Sequence, residues 1–344
     1  MRRVRQQADD GRRSRSSDAD GSMMEQTVQP PRRFGLIGRG RIGGAVIDAW
    51  RSGALPEWQL SAVLARGSRS AATAADARDG GVVARGGGIV ARGGDIDAPG
   101  DDTSASALAR SDTGIPLVDD IDALLRSGCD LVVEAAGAQA FAAHACRVLE
   151  VCDLWAVSPT PLADPVLQSV VEATARRSGR RLRILSGAIA GLDGVAMICV
   201  DDDAQLQLTI DLPPAAAAPG IASHGIGSPG ASLPGGGPHA DGPNGHGPHR
   251  VVFRGTVREA ARRFPDAVNV AVAAALAGPG LDRARIEVLC PESRDRHRLA
   301  LRATGRYGSV EVAVHPRVAP GVHPVAASIV AALREAGRAI RAGA

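Results

Sequence analysis

Apolar residues along the chain fall into short runs that alternate with longer segments of helical period. "FGLIG" (34–38) is a continuous apolar run stopped by glycine and reads as a buried strand. "RIGGAVIDAWRSG" follows with its apolar positions at helical spacing and Gly53 at its end. "LSAVLA" (60–65) is a second strand, and "PLVDD" (116–120) leads through a short helix to "DLVVEAAG" (130–137), a strand with an acid near its end. "AQAFAAHACRVLE" (138–150) reads as a helix and "DLWAVS" (153–158) as a strand. "ADPVLQSVVEATARRSG" (163–179) is an amphipathic helix with Gly179 after it, and "RLRILSGA" (181–188) is another strand. Strands alternating with helices of this length predict a parallel, doubly wound sheet.

Past residue 200 the pattern changes. "AQLQLTIDL", "RVVFRG", "ARIEVLC", "HRLALRATG" and "GSVEVAVH" read as strands, several with strict period two. Only "TVREAARRF" and "AVNVAVAAALAG" read as helices among them, and "HPVAASIVAALREAGRAIRAGA" closes the chain as a long amphipathic helix. The predicted fold is therefore α/β: a Rossmann-type doubly wound parallel sheet plus a second α+β domain with an open mixed sheet. The expected divisions are a disordered tail over 1–32, a dinucleotide-binding domain over 33–160, a substrate domain over 161–318 and a C-terminal helix over 319–344. Residues 66–113 are rich in Gly, Ala, Asp, Ser and Arg, and 215–249 in Gly, Pro and His. Both carry little to bury and read as flexible inserts.

Composition narrows the classes. Aromatics make up 2% of the 344 residues, so the cores must be built from Ala, Val, Leu and Ile. The net charge is +3 and every one of the 40 basic side chains is Arg. These cations are scattered, with few aromatics for base stacking, which argues against nucleic acid as a partner. No apolar run approaches the length of a membrane helix, and the N-terminal 20 residues lack the apolar core of a secretory signal. The five cysteines show no metal-ligand spacing, so a reducing cytoplasm is expected. His224, His239, His246 and His249 sit in the Gly/Pro-rich insert, which has no backbone order to fix ligand geometry, and no metal site is expected.

The chemistry begins at Gly38, Gly40 and Gly43, spaced G-x-G-x-x-G between a strand and a helix. In that context the first glycine permits a tight turn and the second lets backbone approach a pyrophosphate. The third lets helix pack on strand. The acid that grips the ribose of NAD after the second strand is missing, and Arg66 and Arg69 stand there instead. An arginine suits the 2′-phosphate of NADP. The expected cofactor is NAD or NADP, with Arg66 favouring NADP.

Several stretches together resemble the L-aspartate dehydrogenase family: "GRGRIGGAV", "LVVEAAG", "WAVSPTPLAD", "SGAIAGLDG", "REAARRFPDAVNVA" and "RDRHRLAL". The resemblance implies NAD(P)-dependent oxidation of L-aspartate to iminoaspartate, hydrolysed to oxaloacetate and ammonia, or the reverse. It also implies a link to NAD biosynthesis and a homo-oligomer. Carried over by position, Arg41 and Ile42 touch the pyrophosphate, Ala136 and Gly137 form a cofactor-contacting strand end, and Ser158 follows the next strand. Ala188 and Asn269 match positions lining the nicotinamide, and His297 matches the catalytic histidine. A histidine titrating near neutral pH suits proton removal from an amine or water. Arg296 and Arg298 flank it on the opposite strand face and are expected as solvated charge.

The chain also departs from the family. Leu212 stands where a lysine commonly precedes a Pro-Pro pair, Ala190 replaces a glycine, and Pro159 and Pro161 are introduced. "HPVAAS" (323–328) replaces an Asn-Pro-Lys-Thr-Ser stretch, so Val325, Ala326 and Ala327 stand for one cation and two hydroxyls. Each buried carboxylate of aspartate needs a cation or several donors. Another amino-acid or semialdehyde oxidoreductase of the same plan, and a non-catalytic NAD(P)-binding protein, therefore stand beside the leading reading.

Overall fold

The computed structural model describes residues 31–65, 114–212, 249–291, 298–317 and 323–341. The tail over 1–30, the insert over 66–113 and the insert over 213–248 lie outside the described residues, as do Arg66, Arg69, Arg296 and His297. Among those described, six parallel strands form the first sheet: β1 (Arg32–Ile37), β2 (Trp58–Leu64), β3 (Leu117–Val118), β4 (Leu131–Glu134), β5 (Asp153–Ala156) and β6 (Leu182–Ile184). Their order is β3-β2-β1-β4-β5-β6, so the winding reverses between β1 and β4. That reversal opens a crevice at the carboxyl ends of the strands, where Ile37 lies in register with Glu134.

Helices cover both faces, which is why β4 reads as an unbroken buried run rather than an alternation. One face carries α2 (Ile121–Arg126), α3 (Ala138–Leu149) and α4 (Pro165–Ser178) through Leu124, Phe141, Val148 and Val171. Their starts are set locally. The Asp120 carboxylate accepts from Ala123 N–H at 2.7 Å, and Asp164 accepts from Val166 N–H at 2.9 Å with Pro165 in the first turn. Gly179, at φ 68°, ends α4 in the left-handed conformation. The other face carries α1 (Arg41–Arg51) and, from the far end of the chain, α8 (Pro324–Gly337). Ile329 and Leu333 of α8 are fully buried there beside Val46 of α1.

The boundary expected at residue 160 falls before β6, yet β6 pairs with β5. The first sheet therefore runs on to Ile184, and α8 returns to complete it.

The second sheet is mixed and open, in the order β11-β10-β7-β9-β8. Its strands are β7 (Gln205–Asp211), β8 (His249–Thr256), β9 (Arg285–Pro291), β10 (Leu299–Gly305) and β11 (Gly308–Val314). Only β7 and β9 run parallel; the other neighbours are antiparallel. The period-two pattern buries Leu206, Leu208 and Ile210 of β7 against helices on one face. Those helices are α5 (Leu192–Ile198), α6 (Val257–Arg263) and α7 (Asn269–Ala277). A reciprocal capping box between Thr256 and Glu259 starts α6. The sequence reading did not include α5. It begins within the glycine-punctuated stretch 186–194, and the glycines there serve close packing. A Cβ on Gly191, at φ +76°, would come within 2.7 Å of Val312.

Trp58 ties the returning helix down. Its buried indole N–H donates to the Leu333 carbonyl at 2.7 Å, and its ring meets Phe34 edge-on at 6.0 Å. Replacing Trp58 with Phe should leave that carbonyl without its partner and lower stability by about 1–3 kcal/mol. Urea unfolding followed by far-ultraviolet circular dichroism checks this; an unchanged midpoint would show that the bond does not anchor α8.

Candidate dinucleotide crevice and active site

The glycine turn is built by contacts that allow no side chain at two of its three positions. Gly38 leaves β1 at φ +102°, and a Cβ there would lie 2.8 Å from the Ala135 carbonyl oxygen. A Cβ on Gly43 would lie 2.1 Å from the Gly38 carbonyl oxygen, so α1 can press on the turn only as glycine. Gly40 differs: nothing lies within 4 Å of its missing Cβ. It is the N-cap of the 11-residue α1, with no side-chain cap and no acid in the first turn. Open space in front of a bare helix start fits a pyrophosphate, which would take its hydrogen bonds from backbone N–H groups. Arg41 and Ile42, the first two residues of that helix, stand where the sequence places the phosphate contacts.

Across the crevice the end of β4 turns into α3 through Ala136 and Gly137. Gly137, at φ 99°, is the N-cap of α3 and has no side-chain cap. The turn is held from below by Glu134, which is 1% exposed. Its Oε1 accepts from Ala136 N–H at 2.7 Å and from Gly137 N–H at 2.8 Å. Burial pushes the Glu134 carboxyl above the usual range, opposed by these two bonds and by the hydroxyl and N–H of Ser158, which face it from the end of β5. Its Oε2 is sealed from solvent and closes no hydrogen bond of its own.

Ser158 is buried beside this carboxylate. Two residues on, Thr160 N–H donates to Asn269 Oδ1 at 3.3 Å, which brings the first residue of α7 to the carboxyl end of β5. Val270 approaches the turn at Gly187, next to Ala188. The structure thus brings Ser158, Ala188 and Asn269 toward one another, and Gly38, Gly40, Arg41, Ile42, Gly43, Ala136 and Gly137 around the crevice. Arg66 would follow Ala65, which is buried at the end of β2, but Arg66 itself lies outside the described residues. His297 also lies outside them. Its neighbour Arg298 donates its backbone N–H to the buried Asp211 carboxylate at 3.1 Å, and Leu299 pairs with Ile210.

Arg298 corrects one expectation. It is half-buried, with Nε sealed from solvent, rather than a solvated charge. Strand alternation alone does not register the packing of β10 beside the end of β7. The departures toward the C-terminus are also structural. Ala326 is buried under the first sheet and Val325 packs on the same core, while Leu212 is buried in the second core.

Two residues absent from the sequence reading of the site belong to this region. One is Glu134. The other is His323, the N-cap of α8, whose Nδ1 is buried without a hydrogen bond. Burial lowers its pKa, and the Arg41 cation adds to the effect; on the same helix Val325 packs against the core that Ile42, at the start of α1, also covers. The available signals were an acid just before a small-residue turn and a histidine preceding a proline at a helix start. Among the described residues no cluster of three or more His, Cys, Asp or Glu could hold a metal, and no helix is long and apolar enough to cross a membrane.

The Glu134 shift has a testable consequence. A carboxyl whose pKa is raised in the folded state holds its proton more tightly there than in the unfolded chain. Its contribution to stability therefore falls as pH rises from about 4.5 through the raised value. Unfolding free energies measured across this window should decline more steeply for the wild type than for Glu134→Gln. Parallel profiles would mean that the carboxyl titrates alike in both states.

Comparison with known proteins adds to this geometry. Residues 242–336 match the family model described as "Aspartate dehydrogenase, C-terminal", and residues 38–185 match "Homoserine dehydrogenase, NAD binding domain". The chain is 36% identical over 212 residues to L-aspartate dehydrogenase 2 of Bordetella pertussis, covering 58% of this chain and 73% of that protein. It is 31% identical over 239 residues to L-aspartate dehydrogenase of Ruegeria pomeroyi, covering 68% and 81%. The crystal structure of aspartate dehydrogenase from Thermotoga maritima shares the fold, with a TM-score of 0.59 at 20% identity over 91% of this chain and 99% of that one.

Proposed function

The chain belongs to the L-aspartate dehydrogenase family of NAD(P)-dependent amino-acid dehydrogenases, and we propose that it oxidises L-aspartate at Cα to iminoaspartate. In this reading the Cα–H bond gives up hydride, the amine loses a proton as C=N forms, and water then releases oxaloacetate and ammonia. A bound pyridine nucleotide supplies the hydride acceptor. The chain's own residues do the rest. Backbone N–H groups at the start of α1 hold the pyrophosphate. Asn269 orients a carboxamide or the substrate, and His297 takes the proton from the amine or from the attacking water.

The observation that carries the proposal is the bond from Thr160 N–H to Asn269 Oδ1 at 3.3 Å. It fixes a carboxamide from the second sheet's helix at the crevice of the first, and positioning two reactants together is the main demand of hydride transfer. Purified protein given oxaloacetate, ammonia and reduced nicotinamide nucleotide should consume the nucleotide. His297→Ala should lower the rate by about 100-fold or more. Tight nucleotide binding with no turnover on any amino or keto acid would overturn the proposal in favour of a binding protein.

We assign the preference between the two nucleotides to Arg66, which follows Ala65 after the end of β2, and whose guanidinium matches a ribose 2′-phosphate. Arg66→Ala should raise the KM for NADPH about tenfold or more and leave that for NADH nearly unchanged. An equal change for both would remove the residue from this role. A second reading, a less anionic amino-acid substrate, is favoured by one observation: Leu212, Val325 and Ala326 lie in apolar cores and offer no cation or hydroxyl to a carboxylate. Comparing kcat/KM for L-aspartate with that for neutral amino acids separates the two.

A further inference from the structure

Glu134 is a buried acid to which no role in hydride transfer falls. Its place is specific. In the sheet register it lies between Ile37 of β1 and Ala156 of β5, at the crest where the winding reverses. Its Oε1 takes both N–H groups of the turn above it, Ala136 and Gly137, at 2.7 and 2.8 Å. Those donors precede α3 and so have no strand or helix partner of their own. The other oxygen, Oε2, is sealed from solvent, so the side chain cannot touch a ligand directly. Whatever Glu134 does for the crevice must pass through the turn.

That turn is one wall of the crevice. The Ala135 carbonyl oxygen and the Ala136 Cβ lie 2.8 and 2.9 Å from where a Cβ on Gly38 would stand. A shift of the turn would therefore be felt directly at the glycine turn. We infer that Glu134 is a positioning residue for the dinucleotide, its Oε1 clamping the Ala135–Gly137 turn against the turn at Gly38. The inference rests on the pyridine-nucleotide reading given above. A carbonyl oxygen in the place of Oε1 could serve as well as a carboxylate, whereas an apolar or shorter side chain could not.

Four proteins test it: wild type, Glu134→Gln, Glu134→Leu and Glu134→Asp. The readout is the Kd for NADPH and for NADH, followed by the fluorescence of the reduced nicotinamide, with thermal unfolding of each free protein as the control for folding. Glu134→Gln keeps an acceptor at the same reach and should bind within about threefold of the wild type. Glu134→Leu removes the acceptor and Glu134→Asp withdraws it by about 1.5 Å. Both should bind about tenfold more weakly or worse. If Glu134→Leu does not fold, the aspartate variant decides. Wild-type affinity in a folded Glu134→Asp would overturn the inference, as would a loss in Glu134→Gln equal to that in Glu134→Asp. A wild type that binds neither nucleotide would instead overturn the reading on which the inference rests.

Discussion

The contact between the start of α1 and the Gly38 carbonyl governs the geometry of the crevice. With 2.1 Å between that oxygen and a Cβ on Gly43, only a glycine lets the helix descend so far. The descent sets where the bare N-terminus of α1 points and leaves the space in front of Gly40 open. It also holds the Gly38 turn against the end of β4, where Ala135 and Ala136 allow no side chain to intervene. The glycine turn and the start of α1, adjacent in sequence, are thereby locked to the distant end of β4. Side chains enlarge the site; they do not create it.

The 3-10 turn at Thr160–Ala163 is one place where the layers of the two sheets meet. Thr160 holds Asn269, Arg258 donates to the Ala163 carbonyl at 2.6 Å, and Ala163 is packed in the second core. Arg258 is also held by both oxygens of Asp282, a forked pairing that fixes its orientation. The helix behind Asn269 is rich in alanine and buries Ala271 to Ala275, so it can lie close under the second sheet. A helix apolar on every side belongs inside, and this one is buried along Ala271 to Ala275. The placement of Asn269 is therefore set by packing on one side and by a hydrogen bond on the other.

Much of this was legible in the residue pattern. Continuous apolar runs marked the parallel strands and period two marked β7, because each reports the number of buried faces. The glycine spacing was legible as well, since its three positions have distinct steric demands. What escaped depended on contacts far apart in sequence. The boundary at 160 cut β6 from the first sheet, because membership is a matter of strand pairing and three residues, one of them Arg183, do not name a partner. The helix after Gly191 is short and carries Gly194 in its first turn, whose value lies in the approach of Val310. Arg298 looked solvated because alternation describes one strand, while its burial comes from the neighbouring strand. Glu134 and His323 lie in stretches that were read for their neighbours. Their distinction is burial without a full set of partners, which only the assembled chain defines.

These two residues also shape the charge of the crevice. Burial favours the neutral form of each: it raises the Glu134 carboxyl and lowers the His323 imidazole. Arg41, the first residue of α1, carries a guanidinium. The start of α1 adds partial positive charge from its backbone N–H groups, with no acid in its first turn to cancel it. The lasting charge at the glycine turn is therefore positive, and it comes from an arginine and a helix end. A chain without lysine has no smaller cation to place there. Arginine brings a planar fork with fixed donor directions, so anions in this crevice are selected by orientation as well as by charge. A dinucleotide can meet that demand through its phosphates. The carboxylates of the substrate must meet it elsewhere, because Leu212, Val325 and Ala326 are packed into the apolar cores and the exposed Ala327 has no polar group to offer.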